Sequence, residues 1–159
     1  MTREDAYFER ILLLAGLWEG YDEWLGYYLE TEEPLSDIVL ELADCRDDMK
    51  AVERTLNLYC LEQPFDEESV HERLRLYLWE NYKSGKMAKD EVLALMGKFS
   101  RIIPLESDVH RNITVLYDYY DLVEEGMVAE ERFDKVFEAC LERGECVDTD
   151  KFWEKVYRK

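Results

Sequence analysis

The stretch SDVHRNITVLYDYYDLVEEG, Ser107 to Gly126, decides the fold class. At about 100° per residue, Val109, Ile113, Leu116, Tyr117, Tyr120 and Val123 share one helical face. Val115, Tyr119 and Leu122 fall nearly opposite, with Thr114, Asp118, Asp121 and Glu125 on a stripe between them. A half-buried strand would alternate apolar and polar residues instead. Ser107 is placed to cap the helix and Gly126 to end it in the left-handed C′ position. A surface helix needs only one apolar face, so two readings are open. Either this is a central helix packed on both sides, or Tyr119 and Leu122 are left for a partner.

The same periodicity runs outward in both directions, and only three prolines and seven glycines interrupt it in 159 residues. Upstream, a helix is expected over Arg3–Trp18, broken by Gly20 and resumed over Asp22–Glu30 until Pro34 stops it. Ser36 is expected to cap Asp37–Asp44, and Asp47 the next helix, whose apolar face would carry Met49, Val52, Leu56, Tyr59 and Cys60. Further helices are expected from Asp66 or Glu67 to Lys83, over Lys89–Arg101, over Ala129–Arg143 and over Thr149–Arg158. Val70–Tyr82 repeats the two-faced pattern, with Leu76 and Trp79 opposite Val70, Leu74, Tyr77 and Leu78. Loops of two to five residues imply antiparallel neighbours. The expectation is therefore a single all-α domain, residues 1–159, built as a bundle of seven or eight short helices or as stacked helical hairpins. Helix pairs lie about 40 residues apart, but no residue signature recurs as it does in solenoid repeats.

Composition narrows the function. With 47% hydrophobic and 36% charged residues, the chain is too apolar for disorder. Twenty Lys and Arg face 38 Asp and Glu, a formal charge of −18, which argues against binding nucleic acid or anionic lipid. Cys45, Cys60, Cys140 and Cys146 have neither C-x-x-C spacing nor the density of a secreted scaffold, so a cytoplasmic protein with buried or incidental thiols is expected. The apolar run Ile11–Leu17 is preceded by Glu4, Asp5 and Glu9, whereas a secretory leader opens with positive charge. It is also too short to span a bilayer.

The charge is uneven. Residues 11–45 contain nine Asp and Glu and no Lys, Arg or His. Residues 69–102 carry a net +3 and could fold back on the acidic segments. Alternatively, Asp22, Glu23, Glu30, Glu32 and Glu33, interleaved with Trp24, Tyr27 and Tyr28, form a face for a basic partner. Carboxylates would steer such a partner, and aromatic side chains would anchor it. Tyr27 is the foremost candidate, because it lies with Glu23 and Glu30 away from Trp24, Leu25 and Tyr28. A second acidic strip, Asp118, Asp121, Glu124, Glu125, Glu130, Glu131 and Asp134, could extend that face or be ordinary solvated surface.

No catalytic constellation stands out. His71 and His110 are the only histidines. Glu68 and His71 match E-x-x-H once, whereas a di-iron bundle needs a second copy and two further glutamates. H-E-x-x-H, G-x-S-x-G and phosphate-cradling glycine loops are absent, and Asp44–Asp48 lacks the glycine and closing glutamate of a calcium loop. A Cys–His pair assembled in space is left open by the sequence. No enzyme, metal or cofactor is expected.

The acid-rich stretch LWEGYDEWLGYYLETEEPLSDIVLELADC and the helices DDMKAVERTLNLYC and ESDVHRNITVLYDYYDLVEEG give the chain its character. In architecture and charge it resembles the helical immunity proteins of bacterial polymorphic-toxin and contact-dependent growth-inhibition systems. The resemblance implies a one-to-one complex with a cognate toxin, here a nuclease with a basic cleft, neutralised by occlusion. The competing expectation is a non-enzymatic scaffold that binds a partner helix through Tyr119 and Leu122.

Overall fold

The computed structural model describes residues 1–144, which form eight α-helices and no strands. They are α1 (Arg3–Leu14), α2 (Tyr21–Thr31), α3 (Asp37–Asp44), α4 (Met49–Leu61), α5 (Glu67–Lys83), α6 (Lys89–Phe99), α7 (Asp108–Glu124) and α8 (Glu130–Arg143). The helix expected over Thr149–Arg158, and Cys146, lie outside the described residues. The chain divides into two compact units, the first from Met1 to Val70 and the second from His71 onward, with the division in the first turn of α5.

In the first unit α1 packs on α4, α2 on α3 and α3 on α4. Thr2 starts α1 with a capping box: its hydroxyl accepts from the Asp5 N–H at 3.1 Å, and Asp5 accepts from the Thr2 N–H at 3.3 Å. Helix α1 ends sooner than Gly20 suggests. Gly16, at φ 90°, takes the left-handed turn that stops it, and Gly20 is the residue before α2. Ala6, Ile11, Val39, Leu42, Val52 and Leu56 are completely sealed. Burying a Val, Leu or Ile side chain is worth roughly 1.5–3 kcal/mol, which is what ties these short helices together. Asp48, not Asp47, caps α4, accepting from the N–H groups of Lys50 and Ala51 at 3.1 and 3.2 Å. Met49, expected on the core face, is half exposed.

In the second unit α6 packs on α7 and α7 on α8. Its core is aromatic: Phe133 and Phe137 stack at 5.8 Å, and Tyr82 meets Phe137 edge-on at 5.2 Å. Lys89, at the start of α6, reaches Glu130 at 2.6 Å and Asp134 at 2.8 Å on α8. Burial pulls its pKa down, but hydrogen bonds to the two carboxylates outweigh that, and the net shift is upward. Gly126 and Gly144 hold the left-handed conformations that close α7 and α8.

Candidate functional site

Asp22, Glu23, Trp24, Tyr27 and Glu30 lie on α2, and Glu32 and Glu33 follow its end. Its inward face is fixed by Tyr21 and Leu25, which are 3% and 2% exposed. From that face rings run outward along the helix. Tyr21 meets Trp18 at 6.0 Å and stacks on Trp24 at 5.9 Å; Trp24 meets Tyr28 edge-on at 5.3 Å, and Tyr28 meets Tyr27 at 5.3 Å. Trp24 and Tyr28 are half-buried. Tyr27 ends the series at 62% exposed, a large amphipathic ring already fixed on one side by its neighbour.

The carboxylates divide into two groups. Asp22 lies 3.6 Å from Arg46, and Glu32 receives the Met1 ammonium group and the Ser36 N–H at 2.9 Å. Those hydrogen bonds, the ammonium's first and the Ser36 groups' next, hold Glu32 below the usual carboxylate range despite an opposing desolvation effect. Neither residue has a basic neighbour in residues 11–45, and both are bridged from outside that segment. The Asp22–Arg46 pair is exposed on both sides and contributes little. Glu23, Glu30 and Glu33 are exposed, and among the described residues no cation pairs with them. Tyr27 therefore shares its helix face with two open carboxylates, Glu23 at i−4 and Glu30 at i+3.

The second strip is a different object. Asp118, Asp121 and Glu125 are exposed on α7, but Glu130 and Asp134 are the anchors of Lys89. Tyr119 is 2% exposed and packs edge-on against Phe133 at 5.8 Å. The reading that leaves Tyr119 for a partner is corrected: its ring fills the core of the second unit, and Leu122 is only half-buried. The unit boundary also divides the charge. Residues 1–70 hold five Lys and Arg against nineteen Asp and Glu, a net −14, while residues 71–159 hold fifteen against nineteen, a net −4.

Two buried ionisable groups lie close to this site, and one of them, Glu9, escapes sequence reading. Glu9 is 5% exposed on α1, and burial pushes its carboxyl up to about 7. Tyr21, whose hydroxyl is buried without a hydrogen-bond partner, also has its pKa raised, by burial first and then by neighbouring charges that include Glu9. A helical-wheel signal for Glu9 does exist, since Ala6, Leu12 and Leu13, at i−3, i+3 and i+4, share its side of α1 and are buried. Only packing shows that it is enclosed.

For chemistry the described residues offer little. No group of three or more His, Cys, Asp or Glu is arranged to hold a metal ion among them. His71 is sealed in the second unit. Burial lifts the Cys60 thiol to about 11, so it stays protonated and unreactive near neutrality. A cavity lined by Leu78, Met96, Ile113 and Cys140 has a volume of about 10 Å³, room for one water at most. No described helix is long and apolar enough to cross a membrane. Comparison with protein-family models, with curated proteins and with solved structures finds no match.

Proposed function

We propose that this chain is an immunity protein, a non-catalytic inhibitor that binds a cognate bacterial toxin through a basic surface on the toxin. One observation carries the reading: a net charge of −14 in the first unit, with the exposed Tyr27 ring on the same helix face as Glu23 and Glu30, neither of which pairs with a cation among the described residues. Such a surface attracts a basic partner from a distance and offers it an aromatic anchor on contact. A nuclease fits best, because its cleft presents Lys and Arg to phosphate and these carboxylates would occupy the same groups. The competing scaffold reading loses its aromatic anchor, since Tyr119 is buried.

The test starts from the neighbouring genes, one of which this reading expects to encode a toxin domain. Co-expression should block its activity, and calorimetry should show one-to-one binding. Tyr27→Ala, and separately the pair Glu23→Lys and Glu30→Lys, should each weaken binding roughly tenfold or more, with circular dichroism unchanged. The association rate should fall as salt rises. Unaltered affinity in both variants removes the α2 face, and a toxin that neither binds nor is inhibited overturns the assignment.

A further inference from the structure

A groove about 520 Å³ in volume opens between α3 and α4, within the span of roughly 300–1,000 Å³ typical of ligand sites. Thr55, Leu58, Tyr59 and Glu62 fall at helical spacing on one face of α4 and form one wall; Asp37 and Glu41 stand on α3 opposite. No lining residue is cationic. Asp37 and Glu41 are exposed and pair with no cation among the described residues, and Leu58 is 53% exposed. Ser36 also lines the groove.

The α4 wall already holds one arginine. The Arg3 guanidinium lies over the Tyr59 ring at 4.5 Å and donates to Glu62 at 3.0 Å. Its contacts show what this wall binds: a planar cation held by a ring face and a carboxylate together. Arg3 engages the Tyr59–Glu62 end. On the remaining side an apolar surface at Leu58 again stands with carboxylates, those of Asp37 and Glu41, and here they are unclaimed.

From these features we infer that the α3–α4 groove receives an arginine-bearing basic segment of the partner, the guanidinium between Asp37 and Glu41 and an apolar neighbour on Leu58. This rests on the proposed reading of the chain as a binder of basic proteins, and it adds a second contact on the same unit. Arginine suits the groove better than lysine, because its planar fork can bridge two carboxylates while its stem lies on Leu58. An anionic membrane is excluded as occupant by the charge of the unit.

The probe is the blocked peptide acetyl-Leu-Arg-Leu-Arg-Leu-amide, titrated into the full-length, nitrogen-15-labelled protein. Amide shifts should move along α3 and α4. Glu41→Gln and Leu58→Ala, both at exposed positions, should each weaken peptide binding about fivefold, and Asp37→Asn with Glu41→Gln about tenfold or more. The peptide with lysine in place of arginine should bind more weakly. Tyr27→Ala should leave peptide affinity unchanged while weakening the toxin complex, so the groove and the α2 face fail separately. Shifts confined to other helices overturn the proposal. So does wild-type affinity in both Glu41→Gln and Leu58→Ala, or loss of peptide binding in Tyr27→Ala.

Discussion

Replacing Glu9 by glutamine should make the first unit insensitive to pH in a range where the native chain is not. Burial alone lifts this carboxyl from an ordinary 4.5 to about 7. In the unfolded chain it ionises near 4.5, so between those values unfolding releases a proton and stability falls as pH rises. The stabilising state is the protonated one: its contribution is complete below 4.5 and lost as pH climbs through about 7. At 1.36 kcal/mol for each factor of ten in acidity, the full loss above pH 8 is about 3 kcal/mol, a large share of a typical domain's stability. Glutamine keeps the shape and never ionises. It adds a buried amide whose cost, about 1–3 kcal/mol if unpaired, does not change with pH. The informative quantity is therefore the Glu9→Gln minus wild-type difference in unfolding free energy, measured by urea titration from pH 4.5 to 8.5. It should rise by about 3 kcal/mol across that span, whatever its starting value. A carbon-13 titration of the Glu9 carboxyl should have its midpoint near 7. A difference that stays flat with pH, or a midpoint close to 4.5, would refute the argument from burial.

Gly97 should resist the most conservative substitution available. A Cβ there would lie 2.6 Å from the Tyr117 hydroxyl, which is already committed to the Leu93 carbonyl, so Gly97→Ala should destabilise the second unit by about 1 kcal/mol even after its gain in helix propensity. Adding Tyr117→Phe removes the clashing oxygen, and thermal unfolding should show the double variant to be more stable than Gly97→Ala alone. At the head of α4, Asp48→Ala should cost about 1 kcal/mol through loss of the cap, whereas Asp47→Ala, one residue earlier, should stay within about 0.5 kcal/mol. Equal effects at the two positions would assign the cap wrongly.

Much of the fold is legible in the sequence because helix period and punctuation act locally. Ser36 before Asp37–Asp44, Glu67–Lys83, and Gly126 and Gly144 after their helices are placed by short-range sterics alone. Where two neighbours could serve the same role, the pattern does not choose: Asp47 and Asp48 have the same side chain, and Gly16 and Gly20 both stand between α1 and α2. The candidate site is less legible because it depends on contacts between distant residues. Arg46 reaches Asp22 across 24 positions, and the Met1 ammonium group reaches Glu32 across 31. Neither pairing has a local signature. Tyr119 fails for a related reason: α7 is apolar on two sides, and only the position of Phe133 shows that its ring lies inside. Tyr27 is read correctly as exposed because Tyr21 and Leu25 on its own helix already define the opposite face.

The run of rings along α2 makes this surface its own optical reporter. Trp24 touches both the sealed Tyr21 and, through Tyr28, the solvent-facing end of the series. A protein landing on Tyr27 would change the polarity around a half-covered indole without any dye being attached. Emission from that indole, isolated by replacing the chain's other tryptophans, would give occupancy and kinetics from a single trace.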